Sequence, residues 1–493
     1  MRWAIAVGGV SVIAAVLLIF FYLLWVVFPL FLPAETRLVD ERDLPAWGSS
    51  KTIYLSVEEQ QEVGLRLSTS AQAEFFDVAT GQPRKSVTLP LRGTVPVLAA
   101  EAVERHGLVA LASDSGAVLL LQHRYETRFP GGVESREILP EMEFPYGDAP
   151  MLDMGDRALV GLAVSDNGNA VLIAGAGRDG LVRVNRAGKT ENLLSGEVTL
   201  EPELFEIRVD FPVTALAVSG NQRWLYLGDD TGRVHRYGLP GLQLQEVVQA
   251  SSAAITSMAM LTGGISLLTG DQRGGIQQLF PVRSQDNEYS LVVVRTFDGL
   301  GSAIVRIHPE ERRKGFLALS AEGEAGIYHS TAGRLVERTS LAGFEPRALA
   351  LSPRADGLLV EGAGPRLARL EIENEHPEIS FSSLWRKVWY ENYPEPEYVW
   401  QSSAATNEFE PKLSLTPLVF GTVKAALYAM LFAIPLALMG AAYTAYFMSP
   451  QLRQWVKPGI EIMAALPTVI LGFLAGLWFA PWVEEHLIDL LLM

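Results

Sequence analysis

Six glycines, Gly116, Gly180, Gly232, Gly274, Gly323 and Gly364, each close a tight turn between two apolar runs, at successive gaps of 64, 52, 42, 49 and 41 residues. The surrounding segments read alike. Four are clear: ALVGLAVSDNGNAVLIAGAGRDGLVRVNR (158–186), PVTALAVSGNQRWLYLGDDTGRVHRYGL (212–239), AITSMAMLTGGISLLTGDQRGGIQQLFPV (254–282) and RALALSPRADGLLVEGAGPRLARLEI (347–372). HGLVALASDSGAVLLLQHR (106–124) and RKGFLALSAEGEAGIYHSTAGRLVER (313–338) are weaker copies. Each unit is strand, turn, strand, tight turn, strand, with glycine where a tight hairpin needs positive φ. A period of about 40–50 residues is that of a β-propeller blade, which buries its apolar faces only by stacking on further copies. The spacing predicts six or seven blades within residues 34–381, a seventh being assembled from VTLPLRGTVPVLA (87–99) and a strand near ISF (379–381). Alternation of apolar and polar residues, as in LYLGDDTGRVHRY, predicts strands buried on one face.

These units resemble WD40-type or YVTN-type propeller repeats, although no Gly-His…Trp-Asp signature is present. The chain has no cysteine, which excludes thiol nucleophiles, zinc–cysteine sites and iron–sulfur clusters. Gly188-Lys189-Thr190 matches the end of a phosphate-binding loop, but Arg183 stands where that motif needs its first glycine, so a hairpin turn is expected there. The seven histidines lack HExxH spacing, and no serine lies in a G-x-S-x-G elbow. The expectation is a binding, gating or scaffold domain rather than an enzyme, with no metal and no cofactor.

Membrane segments flank the repeats. Trp3 to Pro33 is uncharged and exceeds the about 20 residues that span a bilayer; it is also too long for a cleaved signal, so a retained helix (1–33) is expected. Leu415 to Phe447 is a second span, about 50 Å long as a helix, and Ile460 to Ala480 a third. The link MSPQLRQWVKPG carries Arg453 and Lys457 and no acid, so it is expected in the cytoplasm, which puts the N-terminus inside and residues 34–414 outside. The net charge of −16 falls wholly on residues 33–413, with 36 basic and 52 acidic side chains. A domain so acidic does not attract nucleic acid. It is also expected not to bind inorganic phosphate tightly, and calorimetry showing micromolar affinity would contradict this.

Residues 382–414 are crowded with Trp385, Trp389, Tyr390, Tyr393, Tyr398 and Trp400. Ser382 or Ser383 can cap a helix bearing Leu384, Trp385, Val388 and Trp389 on one side, read as an elbow resting on membrane lipid, or as a strut against the propeller.

From here the residues carry a second resemblance. YENYPEPEYVWQSS, FEPKLSLTPLVFGTVKAALYAMLFAIPLALMGAAYTAYF and KPGIEIMAALPTVILGFLAGLWFAP, in that order within residues 383–493, are similar to the permease subunit of bacterial phosphate ABC importers, in its long PstC-type form with a domain inserted between its first two helices. The resemblance implies a type I importer (MetI-like) fold in the bacterial inner membrane. It also implies a second permease subunit, ATPase subunits and a periplasmic phosphate-binding protein as partners. Residues 415–493 would be the start of the transmembrane domain. The ATPase-docking loop of such permeases follows later helices, so a longer permease is expected. The alternative is a membrane-anchored propeller acting as scaffold or sensor.

Several residues in this region are candidates. Lys424 lies within the second span, where it either snorkels to the interface or attracts an entering oxyanion. Pro435 and Pro467 are expected to kink their spans, with Thr468 bonding a carbonyl freed by the second kink. Glu461 follows Lys457-Pro458-Gly459 and reads as a helix-starting acid, or as part of a cytoplasmic gate. Gly472 and Gly476 form a G-x-x-x-G spacing suited to close helix packing.

Overall fold

The computed structural model describes residues 2–44, 47, 50–91, 93–132, 135–191, 198–284, 286–364, 366–403, 410–465 and 468–487. It divides into two compact units, Met1–Thr416 and Pro417–Met493.

The first unit opens with helix α1 (Arg2–Val27) and a 3-10 turn at Phe28–Phe31. Strand β1 (Glu35–Asp43) follows, and then the strands of a seven-bladed propeller. Blade one is β2 (Thr52–Val57), β3 (Val63–Ser68), β4 (Gln72–Asp77) and β5 (Pro83–Thr88). Blade two is β6 (Pro96–Glu101), β7 (Leu108–Ser113), β8 (Ala117–Arg128) and β9 (Glu137–Glu143), with the short β10 (Leu152–Asp153) also on β8. Blade three is β11 (Leu159–Asp166), β12 (Ala170–Gly177), β13 (Leu181–Glu191) and β14 (Val198–Arg208). Blade four is β15 (Val213–Val218), β16 (Trp224–Asp229), β17 (Arg233–Gly238) and β18 (Gln243–Gln249). Blade five is β19 (Ile255–Met260), β20 (Leu267–Asp271), β21 (Ile276–Arg283) and β22 (Tyr289–Phe297). Blade six is β23 (Ile304–Pro309), β24 (Gly315–Ser320), β25 (Glu324–His329) and β26 (Arg334–Ser340). Blade seven takes three strands from the end of the repeats, β27 (Ala348–Leu351), β28 (Gly357–Glu361) and β29 (Arg366–Glu373), and its outer strand from β1, paired antiparallel from Glu35↔Glu373 to Asp43↔Arg366.

All six turn glycines occupy the same place, the hairpin between the second and third strands of a blade, with φ between 74° and 88°. In blade one this position is Ala71, also left-handed at φ 56° and with the same turn bond, its N–H donating to Ser68 O. Alanine carries a steric cost there that glycine avoids. Ala71→Gly is therefore expected to stabilise the propeller by about 0.5–1 kcal/mol. Urea unfolding checks this, and a loss of stability would contradict it.

The missing glycine is why the repeat pattern passed over blade one. The seventh blade predicted from 87–99 and 379–381 is not formed. Residues 87–99 run from β5 of blade one into β6 of blade two, and Phe381 begins a helix. The strands are also not buried on one face as predicted. β3, β7, β12 and β24 are buried throughout, because a blade packs both its faces on neighbours, and exposed positions concentrate on outer strands such as β18. The apolar core lies between blades. Leu65, Leu67 and Phe75 of blade one meet Val109, Leu111 and Leu121 of blade two, while Leu55, Val57 and Phe76 meet Ala350 and Leu359 of blade seven, so the ring is closed.

Residues 374–403 and 410–415 lie across blades five and six as a strap. Helix α2 (Phe381–Trp385) is capped by Ser380, whose Oγ accepts from Ser383 N while Ser380 N donates to Ser383 Oγ, rather than by Ser382 or Ser383. The helix ends before Val388, which bridges to Glu397, so the predicted longer aromatic face does not form.

Among its described residues the second unit is helical except at Met448, Ser449 and His486. It contains α3 (Thr416–Ala442, beginning one residue earlier), α4 (Pro450–Ala465), α5 (Thr468–Leu474) and α6 (Ala480–Glu485), with π-helical turns at Tyr443–Phe447 and Ala475–Phe479. Among the described residues two helical stretches are long and apolar enough to cross a membrane, Ile13–Leu30 and Thr416–Phe447. The third predicted span, Ile460–Ala480, is not one such helix among the described residues. α4 starts ten residues earlier, at Pro450, so the predicted polar link is itself helical and contributes Arg453 and Lys457.

Candidate functional site

The innermost strands line a central cavity of about 340 Å³. In blades one to six a register shift leaves one residue of each inner strand unpaired, at Ile53, Val97, Val160, Thr214, Thr256 and Val305. Counting from this bulge aligns the strands: LAAEA (98–102), GLAVS (161–165), ALAVS (215–219), SMAML (257–261) and RIHPE (306–310) occupy equivalent rungs. Ala100, Ala163, Ala217 and Ala259 thus share one level, and blade six puts His308 there. One level nearer the bulge, Leu98, Gly161, Ala215 and Ser257 are matched by Arg306. At the level of Ala100 the residues of blades two to five are all alanine, and blade six departs from its sister repeats with His308. Setting the repeats in register would have shown this substitution in the sequence; reading them only for glycine spacing did not.

Further polar groups line the cavity. Tyr54 Oη donates to Glu101 Oε2 at 2.7 Å and lies 3.2 Å from His123 Nε2, while Gly107 N donates to Glu101 Oε1 at 2.8 Å. Burial, reinforced by the Glu101 charge, raises the Tyr54 phenol well above its usual range. Burial lowers His123 and His308. His106 Nδ1 sits 3.6 Å from Glu311 Oε2.

Burial and then the charge of Glu101 push the Glu311 carboxyl up to about 7. Its folded value lies above its unfolded one, so its stabilising contribution is complete below about pH 4.5 and is lost as pH rises through about 7. Glu311→Gln is expected to raise stability at pH 8 by about 2 kcal/mol and to change little at pH 4. Denaturant unfolding at the two pH values checks this; equal effects at both would contradict it.

A second cavity of about 480 Å³ adjoins Glu104, Arg105, Asp166 and Lys189. Asp166 accepts from Lys189 Nζ at 2.5 Å, Arg105 Nη1 at 2.8 Å and Tyr146 Oη at 2.9 Å. Burial opposes ionisation of Asp166, and these bonds outweigh it and hold the carboxyl below its usual range. Lys189 lies within β13, so Gly188-Lys189-Thr190 is strand and neither a phosphate loop nor the expected hairpin turn.

The strap fills a third polar site. Lys314 Nζ bonds Glu391 Oε2 at 2.7 Å with side chains only 2% and 6% exposed, and also donates to Thr262 O. Ser266 Oγ donates to Glu391 Oε1, Thr331 Oγ1 to Glu410 Oε1, and Arg295 to Gln278 Oε1 and Trp389 O. Burial and then the Glu391 charge raise the Glu410 carboxyl. Of the two readings of the aromatic segment, these bonds match the strut.

The candidates in the second unit are spread along its helices. Lys424 is exposed on α3 with its Nζ 5.8 Å from the Tyr428 ring centre, and Pro435 lies inside the same helix. Glu461 is the twelfth residue of α4 and Pro458 also lies within it. The helix-starting role expected for them passes to Ser449 and Pro450, and Leu452 N donates to Ser449 Oγ. Thr468 begins α5, and Pro467 lies outside the described residues. Gly472 is in α5 and Gly476 in the π-helical turn, and among the described residues nothing beyond the adjoining helix backbone comes within 4 Å of where a Cβ would stand on either. Among the described residues no hydrogen bond or ion pair joins these candidates to one another.

No protein-family model matches the chain, and no curated protein matches it in sequence.

Proposed function

We propose that the chain belongs to a permease subunit of a bacterial phosphate importer driven by partner ATPases, with the propeller as an external domain inserted between its first two membrane helices. The observation that carries this reading is the closure of the ring. β1 leaves the first apolar helix and pairs with β29, so the entry and exit of the propeller meet at Glu35↔Glu373. A domain with adjacent ends inserts into a loop between two helices without forcing them apart. Thr416–Phe447 is long and apolar enough to cross a membrane and coincides with the motif-bearing span, and the resemblance of residues 383–493 supplies the substrate. In this reading Lys424 and Thr468 line the substrate path, Lys424 attracting phosphate into it, and Pro435, Glu461 and Pro467 kink or gate it. The second permease subunit, the ATPase subunits and the binding protein are the partners. The type I (MetI-like) architecture, inner-membrane location and periplasmic orientation belong to the same proposal.

The test is uptake of radiolabelled phosphate at micromolar concentration in source cells with and without the gene, together with mild-detergent purification of the full-length protein. Loss of uptake and co-purification of an ATPase subunit support the reading. Unchanged uptake with no ATPase partner refutes it and leaves the membrane-anchored scaffold or sensor, which the central cavity favours.

A further inference from the structure

The strap has two sides, and the strut accounts for one of them. Its inward groups are Glu391, Glu410 and Trp389 O, bonded to Lys314, Thr331 and Arg295. Four of its aromatics stay exposed instead, Phe381 at 72% and Trp385, Tyr398 and Trp400 at 41–42%. Phe381 and Trp385 are four residues apart and share one side of α2. Tyr398 and Trp400 are two apart in extended chain and share one side of it. A single exposed aromatic needs no explanation, but a cluster marks a contact surface.

Both pairs are tied to the residues that lead into α3. Leu415 N donates to Leu384 O at 2.8 Å, next to Trp385, and Ser414 N donates to Val399 O at 3.0 Å, between Tyr398 and Trp400. Trp400 itself pairs with Leu413. The apolar stretch Thr416–Phe447 begins at most three residues later, about 10 Å of extended chain.

The ring presents its attachment points at the same end. First and third strands of a blade run parallel, so the links after β19, β23 and β25, on which the strap rests through Ser266, Lys314 and Thr331, lie where β29 also finishes. There Glu373 pairs with Glu35, four residues after the turn Phe28–Phe31 that follows the first apolar helix. The chain therefore reaches both apolar stretches from the end that carries the aromatics. Charge does not select what they meet, because Arg386 and Lys387 beside Trp385 are matched by Glu395 and Glu397 beside Tyr398. Tryptophan and tyrosine, with an apolar body and a polar tip, favour the boundary between lipid headgroups and hydrocarbon.

We propose that Phe381, Trp385, Tyr398 and Trp400 seat the strap in the headgroup boundary of the membrane that α3 crosses, while its other side holds blades five and six. The ring is thereby fixed on the lipid surface. This rests on reading Thr416–Phe447 as a membrane span.

The test uses the absence of native cysteine. Phe381→Cys, Trp385→Cys, Tyr398→Cys and Trp400→Cys each take one nitroxide in the full-length protein in phosphatidylcholine nanodiscs, and power-saturation EPR with oxygen and a water-soluble nickel chelate reads its depth. Phe432→Cys, midway along Thr416–Phe447, is the reference for the span, and Leu204→Cys, exposed on β14, is the reference for water. The four labels are expected about 5–10 Å into the headgroup and acyl boundary, at the same depths in phosphatidylglycerol. All four side chains are exposed, so the variants should melt with the parent. Two or more labels as water-exposed as that of Leu204→Cys, with Phe432→Cys deep, would overturn the seat and leave the span. A water-exposed Phe432→Cys would overturn both. A second reading needs no label: brominated phosphatidylcholine should quench the tryptophan emission of the parent more than that of Trp385→Phe/Trp400→Phe, and equal quenching would overturn the proposal.

Discussion

Replacing Lys314 with methionine is expected to lower the unfolding free energy by about 3–5 kcal/mol, the cost of stranding a buried charge. Lys314 Nζ is the cation beside Glu391, and without it that carboxylate keeps, among the described residues, only Ser266 Oγ as a side-chain donor. The neighbouring bonds run through the same segment, since Glu391 N donates to Glu410 Oε2 and Arg295 donates to Trp389 O. The loss should therefore appear first as release of the strap, with protease cleavage within residues 386–403 before the blades unfold. The double variant Lys314→Met/Glu391→Leu should recover most of the stability, because the charge to be compensated is then gone. Denaturant unfolding and limited proteolysis of the three proteins check this. A single variant as stable and as protease-resistant as the parent would show that the strap does not depend on the pair.

Removing residues 2–43 should have a comparable effect by a different route. It deletes β1, the fourth strand of blade seven, and exposes the backbone edge of β29 from Arg366 to Glu373. An open edge invites pairing with other chains. The expected result is a melting temperature lower by roughly 5–10 °C and concentration-dependent association, both reversed by adding a peptide of residues 35–43. A shortened protein that melts with the parent and stays dispersed would show that the ring holds without its closing strand.

How much of this was legible in the sequence depended on which interaction fixes each part. Turn geometry is local, so the glycines at 116, 180, 232, 274, 323 and 364 marked six blades correctly. Blade one escaped because Ala71 holds the left-handed position by the constraint of its own hairpin, which leaves no glycine to see. The closing strand escaped for another reason. β1 and β29 are more than 300 residues apart in the chain, and no periodicity connects ETRLVDERD to RLARLEIE. The strap was read from its aromatics, whereas its attachment rests on Glu391 and Glu410, two acids among many in an acidic domain. The channel needed the register of the bulges before Arg306 and His308 stood out against alanine. The start of α4 escaped because an apolar run was taken as the helix, while Ser449-Pro450 starts the helix in polar sequence ten residues before that run.

The pairing of Glu35 with Glu373 also has a mechanical meaning. The two strands are antiparallel, and the chain leaves them at the same end, so tension pulling residues 34 and 374 apart would peel the ladder one rung at a time instead of shearing all its bonds together. A latch loaded this way resists little force, however stable it is at rest. The strap changes where that force arrives. A pull transmitted through Thr416 meets Glu410 on Thr331 and Glu391 on Lys314 before it reaches Glu373. The strap thus serves the ring as a cleat serves a rope, taking the strain upstream of the seam that would otherwise open first.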